Sequence, residues 1–191
     1  MQLLALRAHD LPQPVAEALR QSVVVQPDRI TAHTGLTPLQ ELEEASLGLA
    51  LSLGAVDSGT ALARIAGWLH GPASRRLSAA RLASFAVRRA DDMLLQGMLV
   101  ALANDPYYRV RAVAADALVR SLTPDSSVVC REAVLAAAQD AGCHTPHAVA
   151  SSLSDGRALD DSLRQELHGI LLRHPSTLVR EAARTTGLSP S

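Results

Sequence analysis

Residues 105–118 read Asp-Pro-Tyr-Tyr-Arg-Val-Arg-Ala-Val-Ala-Ala-Asp-Ala-Leu. An aspartate before a proline is typical of a helix start, because the carboxylate caps free backbone N–H groups and proline fits the first helical position. The apolar residues that follow recur at spacings of three and one: Val110, Val113, Ala114, Ala117 and Leu118. That spacing places them on one face of a helix. The stretch therefore predicts a helix that begins at Pro106 and buries this face.

The same kind of helix start recurs along the chain. Prolines stand at positions 38, 72, 106 and 175, separated by 34, 34 and 69 residues, and an alanine-rich apolar stretch follows each of them. A helix start that returns at such a period is typical of a helical repeat array. After Pro72 the apolar face is best placed through Ala79, Leu82, Ala83 and Ala86. The last gap is close to two periods, and we expect the segment from Asp140 to Asp155 to replace the missing copy.

The pattern predicts ten helices in five pairs and no sheet, because no segment alternates with period two for long enough to form a strand. The predicted helices cover residues 14–25, 38–54, 58–70, 72–89, 91–103, 106–122, 127–141, 146–153, 158–173 and the stretch from 175. The predicted core includes Leu49, Leu53, Val110, Ala114, Ala117, Leu118 and Val179. No linker is long enough to separate domains, so we expect a single domain over residues 1–191.

Residues 105–118 resemble the second helix of HEAT-like repeats, in which an Asp-Pro turn precedes Val-Arg, an alanine pair and a leucine. The stretch from Pro175, with Val-Arg-Glu-Ala-Ala at 179–183, is similar. The resemblance implies an all-α, right-handed solenoid of about five stacked helix pairs with one concave face. Tetratricopeptide repeats share the 34-residue period, but their pattern needs Trp, Tyr and Phe in each copy, whereas this chain has one Trp, two Tyr and one Phe.

The amino-acid composition limits which partners the protein is expected to bind and in which cellular compartment it is expected to lie. The 191 residues include 18 basic and 19 acidic side chains, for a net charge of −1, and this balance gives no long-range attraction to nucleic acid or anionic lipid. All 18 basic residues are arginine, which favours the codon usage of a GC-rich bacterial genome over the alternative, avoidance of lysine-directed modification. The apolar runs fall short of the roughly 18–20 residues of a membrane span. Two cysteines form no disulfide framework, so a reducing cytosol is the expected compartment.

Arginines at related places in three second helices are the candidate binding residues. This arginine row comprises Arg76, Arg109, Arg111, Arg180 and Arg184. A guanidinium group binds a carboxylate or phosphate through two parallel hydrogen bonds, so the row predicts a surface for an acidic segment of a protein partner. The alternative is structural: the side chains pack between repeats and pair with neighbouring acids.

Cys143, His144 and His147, with Cys130 one helix earlier, have side chains that could bind a metal. Zinc requires four ligands, often in paired short-spacing motifs, and the sequence contains no CxxC pair. We therefore expect loop histidines beside a buried thiol, with no metal and no cofactor. No motif of a nucleophilic, phosphate-binding or zinc-protease site occurs either, so no catalytic residue is predicted.

Together these features predict a non-enzymatic scaffold or adaptor that binds a protein on the concave face of a helical array. Tyr107 and Tyr108, which follow the Asp-Pro turn, add candidate contact anchors. One alternative is a helical-repeat enzyme related to the DNA glycosylases or bilin lyases that contain short HEAT-like repeats, although no residue here matches their active residues. The other is a nucleic-acid-binding module that uses the arginine row, which the balanced charge disfavours.

Overall fold

The computed structural model describes Gln13 and residues 37–87, 93–154 and 159–186. Over these residues the secondary structure is helical, without a strand, which confirms the all-α prediction for this part of the chain. The helices are α1 (Thr37–Ser52), α2 (Ser58–Trp68), α3 (Ala73–Ala86), α4 (Met93–Ala103), α5 (Tyr108–Ser121), α6 (Val128–Ala138), α7 (His144–Ser152), α8 (Asp161–Leu172) and α9 (Thr177–Thr185). The helix predicted at residues 14–25 lies outside the described residues.

The helix starts differ in detail from the predicted ones. Pro38 lies in the first turn of α1, as expected, whereas Pro72 is itself the residue that caps α3. Pro106 and Pro175 each lie one residue before the capping residue of α5 or α9. The prediction that all four prolines occupy a first helical turn is therefore wrong for three of them. Just outside a helix, proline still fixes the direction of chain entry, because its ring locks φ.

Two compact units divide the chain, at residues 1–90 and 91–191. In the first unit, α3 packs against both α1 and α2. At Gly48 of α1 the contact is close, because an added Cβ atom would lie 2.6 Å from two ring carbons of Phe85 in α3. Glycine at this position lets the phenyl ring lie against the α1 backbone. A single domain over residues 1–191 stays a prediction.

The second unit contains two layers of helices. In the first layer α6 contacts both α4 and α8, and in the second layer α7 contacts both α5 and α9. Across the layers, α4 packs on α5, α6 on α7 and α8 on α9. This order of contacts is that of three helix pairs stacked one on the next.

The helix α7 is the copy that the sequence analysis expected to be replaced, so that expectation is wrong. Four buried residues of α5 each have a buried counterpart 35 positions later, in α7 or at its C-terminal end. The residues of α5 are Val110, Ala114, Ala115 and Leu118, and their counterparts are Thr145, Val149, Ala150 and Leu153. The proline pattern does not mark this copy, because the residue 35 positions after Pro106 is Ala141 and not a proline. Threonine and proline at positions 145 and 146 also interrupt the apolar spacing, although both side chains are buried.

Each member of the predicted core is exposed by no more than 2 %, whereas Val113, which the spacing placed on the same buried face of α5, is only half-buried. Those members are Leu49, Leu53, Val110, Ala114, Ala117, Leu118 and Val179. In α5, Ala114, Ala115 and Ala117 are all fully buried, and such small side chains allow neighbouring helices to approach closely. None of the described helices combines the length and the hydropathy that a membrane span requires.

Candidate functional site

Three members of the arginine row fold back onto the turn that precedes their own helix. Nη1 of Arg111 donates hydrogen bonds to the carbonyl oxygens six and five residues earlier, at 2.9 and 3.0 Å. Nη1 of Arg180 donates to the equivalent pair of carbonyl oxygens, at 2.6 and 2.7 Å. Arg76 donates to the carbonyl oxygen five residues earlier, at 2.7 Å. Each guanidinium group thus satisfies carbonyl groups of the turn and holds that turn against the helix.

Arg111 also joins the start of α5 to the start of α7. Its Nε lies 3.0 Å from Oδ2 of Asp140, the acid in the turn before α7. Burial raises the pKa of the Asp140 carboxyl, but hydrogen bonds from the Gly142 N–H and from Arg111, the charge of Arg111 and the Thr145 hydroxyl outweigh burial and hold the pKa below its usual value. The ion pair therefore favours the charged form of Asp140.

His174 continues the connection to α9. Its Nδ1 accepts a hydrogen bond from the Ser176 N–H at 3.1 Å, so Nε2 carries the proton and donates to the carbonyl oxygen of Asp140, also at 3.1 Å. Asp105 and Asp140 likewise accept from the N–H two residues later, at 2.8 and 2.9 Å. His174 thus takes, in the turn before α9, the place that an aspartate takes in the two earlier turns. It also adds a hydrogen bond to the turn before α7. We call Arg111, Asp140, His174 and Arg180 the head ladder.

These contacts divide the arginine row into two groups. Arg76, Arg111 and Arg180 are half-buried and bonded to backbone carbonyls, and Arg111 also pairs with an acid, as the structural alternative expects. Arg109 and Arg184 are exposed. The binding role of the row stays a prediction, and Arg109 and Arg184 are the members whose side chains are accessible at the surface.

An exposed cluster of aromatic and cationic groups lies at the starts of α5 and α7. The rings of Tyr108 and His144 stack with centroids 4.7 Å apart and planes inclined by 31°. Tyr107 meets Tyr108 edge-on at 5.3 Å. The Arg109 guanidinium carbon lies 5.9 Å from the Tyr108 ring centroid, and its Nε donates to the Tyr108 hydroxyl at 3.2 Å, which raises the pKa of Arg109. We call these four residues the Tyr108 cluster.

The remaining cysteine and histidine candidates have structural contacts of their own. Cys130 is buried in α6, where its thiol lies 3.6 Å from Oε1 of Gln96 and accepts from the Ser127 hydroxyl at 3.2 Å. His144 and His147 belong to α7, so the expectation of loop histidines is wrong, and His144 stacks on Tyr108. Within the described ranges, no group of three or more His, Cys, Asp or Glu side chains is arranged to hold a metal ion.

The first unit contains a buried ion-pair cluster that the sequence analysis did not single out. Glu43 of α1 is 2 % exposed and pairs with Arg75 at 2.9 Å and Arg64 at 3.6 Å. Both guanidinium groups lie over Trp68, at 5.3 and 5.9 Å. A groove of about 460 Å³ runs along this part of α2 and is lined by Thr60, Ala63, Arg64, Gly67 and Trp68. The signal in the sequence is the pair Glu43 and Glu44, which directly precedes the leucine- and alanine-rich part of α1.

The chain was compared with models of known protein families, with curated proteins and with solved structures, and no significant match was found. The resemblance to HEAT-like repeats accordingly stays a prediction. We infer function below from the contacts of this chain's own residues.

Proposed function

We propose that this protein is a non-enzymatic scaffold or adaptor that binds an acidic segment of a partner protein. The observation that carries the proposal is the Tyr108 cluster, in which a permanent positive charge adjoins an aromatic ring that is 37 % exposed. Tyrosine and arginine are among the residues that contribute most to the energy of protein interfaces. Their contribution comes from a large contact area combined with directed hydrogen bonds.

The charges around the Tyr108 cluster favour an acidic ligand. Of the two nearby acids, Asp105 is buried and Asp140 is paired with Arg111. Arg109 carries its charge at the surface, and within the described part of the chain its two terminal amino groups make no hydrogen bond. Two such amino groups match the two oxygens of a carboxylate. Arg109 is therefore the residue to which we assign the partner's acidic side chain.

The helix layers supply a rigid support for this contact. The head ladder bonds the starts of α5, α7 and α9 to one another, and groups held in place before binding lose less conformational entropy when the ligand arrives. The two-layer order of α4 to α9 also supports the further proposal of a HEAT-like solenoid, for which the sequence resemblance implies a right-handed stack. We propose a cytosolic location, because the free thiols of Cys130 and Cys143 persist in a reducing compartment.

Fluorescence anisotropy of a labelled glutamate-rich peptide of twelve residues tests the proposal. We expect the glutamine analogue of equal length to bind at least about tenfold more weakly, because it lacks the charge that pairs with arginine. Arg109→Glu is expected to abolish binding. Arg173→Glu, which makes the same charge reversal at an exposed position after α8, is the matched control and is expected to bind like the parent.

Two results would contradict the proposal. One is the absence of binding by the glutamate-rich peptide. The other is preferential binding of a duplex DNA of similar charge with a steep dependence on salt, which would replace the proposal with the nucleic-acid-binding alternative.

A further inference from the structure

Three exposed side chains occupy equivalent positions at the starts of the second-layer helices. Each directly precedes a buried residue in the first turn of α5, α7 or α9; those buried residues are Val110, Thr145 and Val179. The exposed residues are Arg109, His144 and Leu178, the last with 51 % of its surface exposed. We call them the head strip. Along the strip a cation, an imidazole ring and an apolar side chain follow one another.

The length of the head strip follows from helix packing. Since α7 contacts both α5 and α9, and packed helices lie about 8–10 Å apart, two such steps in one row give a spacing of about 16–20 Å between the axes of α5 and α9. We take this spacing as the distance that a ligand spans between Arg109 and Leu178. Bonds from Arg111 and His174 to Asp140, at 3.0 and 3.1 Å, hold the three helix starts together. The distance between the two ends of the strip is therefore fixed by the fold.

We propose that the head strip binds an extended segment of the partner in which an acidic residue and an apolar residue lie five or six positions apart. The inference rests on the proposed function and names the pattern that the site recognises. An extended chain rises about 3.3 Å per residue, so five or six residues cover about 16–20 Å. The acidic side chain pairs with the terminal amino groups of Arg109, and the apolar side chain covers Leu178.

The middle of the segment crosses the stacked rings of Tyr108 and His144. Ring faces accept many kinds of backbone and side-chain contact, so this part of the strip discriminates weakly between residues. The Tyr108 hydroxyl has a separate role, because it accepts the Nε–H of Arg109 at 3.2 Å and leaves the remaining donors of the guanidinium group for the ligand. Tyr108 is thus the positioning residue for Arg109.

A library of random twelve-residue peptides displayed on phage tests the inference on the full chain. The library is first depleted on Arg109→Glu protein and then selected on the parent protein. We expect enriched peptides to carry Asp or Glu five or six positions from an aliphatic or aromatic residue. Synthetic copies are expected to bind Leu178→Ser several-fold more weakly and Arg109→Glu at least about tenfold more weakly, while Arg173→Glu matches the parent.

The variant Tyr108→Phe tests whether the Tyr108 hydroxyl positions Arg109, since it keeps the ring and removes the hydroxyl acceptor. Its affinity for the selected peptides is expected to fall by a smaller factor than that of Arg109→Glu. Two results would contradict binding along the head strip without contradicting the proposed function. One is enrichment of acidic peptides that lack the five- or six-residue spacing, and the other is an unchanged affinity of Leu178→Ser for the selected peptides. If no acidic peptide is enriched, both the head strip and the proposed function are contradicted. Thermal unfolding of each variant verifies that it is folded.

Discussion

Nε of Arg111 and Oδ2 of Asp140 lie 3.0 Å apart, although 29 residues separate them in the chain. The arginine belongs to α5 and the acid to the turn before α7, the next helix of the same layer. Asp140 occupies in its turn the place that Asp105 occupies before α5, because each accepts a hydrogen bond from the N–H two residues later. The arginine of one copy therefore pairs with the turn acid of the following copy.

Replacing Arg111 by alanine tests this linkage. The change removes two bonds to turn carbonyls and the ion pair with Asp140, so we expect it to lower the free energy of unfolding by about 1–3 kcal/mol, as loss of charged hydrogen bonds does. Arg109→Ala, two positions earlier and exposed, is the matched control and is expected to unfold like the parent. Urea denaturation followed by circular dichroism measures both. Equal losses in the two variants would show that Arg111 is not a link between copies.

The lowered pKa of Asp140 predicts a dependence of stability on pH. A carboxyl whose pKa is lower in the folded chain than in the unfolded chain stabilises the fold above the unfolded value, and this stabilisation is lost as the pH falls through the folded value. The gap in unfolding free energy between the parent and Asp140→Asn is therefore expected to be largest near neutral pH. It should shrink as the pH falls below the ordinary aspartate pKa of 3.8. A gap that stays constant from neutral pH to pH 3 would contradict the ion pair.

Two helical glycines are expected to respond in opposite directions to replacement by alanine. At Gly48 the new Cβ atom would lie 2.6 Å from the Phe85 ring, so we expect a loss of about 1–3 kcal/mol in unfolding free energy, as in other overpacked cores. At Gly67 of α2 a Cβ atom would meet nothing within 4 Å, and alanine should add up to about 1 kcal/mol through helix propensity. Chemical denaturation compares the two variants. A loss at Gly67 equal to that at Gly48 would refute the close contact with Phe85.

Leu118 and Leu178 provide a matched pair for the core. Leu118 of α5 is fully buried, and its replacement by alanine is expected to cost about 2–5 kcal/mol of unfolding free energy. Leu178 is 51 % exposed, so the same replacement should cost well under 1 kcal/mol. Thermal and urea unfolding report both values. A small loss at Leu118 would mean that the apolar face of α5 does not pack as described.

Much of the fold could be predicted because helical periodicity is a local signal. The burial of Val110, Ala114 and Leu118 follows from their spacing alone. The sequence predicted a helix at residues 146–153 but did not identify α7 as a copy of α5, because Thr145 and Pro146 occupy buried positions there. A buried threonine and a buried proline therefore interrupt the apolar spacing by which α5 was recognised.

The candidate site was harder to predict, because its geometry depends on contacts between distant residues. A guanidinium group that bonds to its own turn and one that is exposed at the surface can stand two positions apart, as those of Arg111 and Arg109 do. Only the direction of the side chain separates them, and a linear pattern does not record direction. The stacking of Tyr108 on His144 likewise joins two helix starts that meet only when α5 packs on α7.

The central claim is that Arg109 receives the acidic group of the partner, whereas Arg111 and Arg180 hold the helix starts. The most direct measurement is the ¹H–¹⁵N NMR spectrum of the arginine Nε–H groups, recorded while the glutamate-rich peptide is added. We predict that the Arg109 signal shifts most and that the signals of Arg111 and Arg180 stay in place. A larger shift at Arg111 or Arg180 than at Arg109 would contradict the claim.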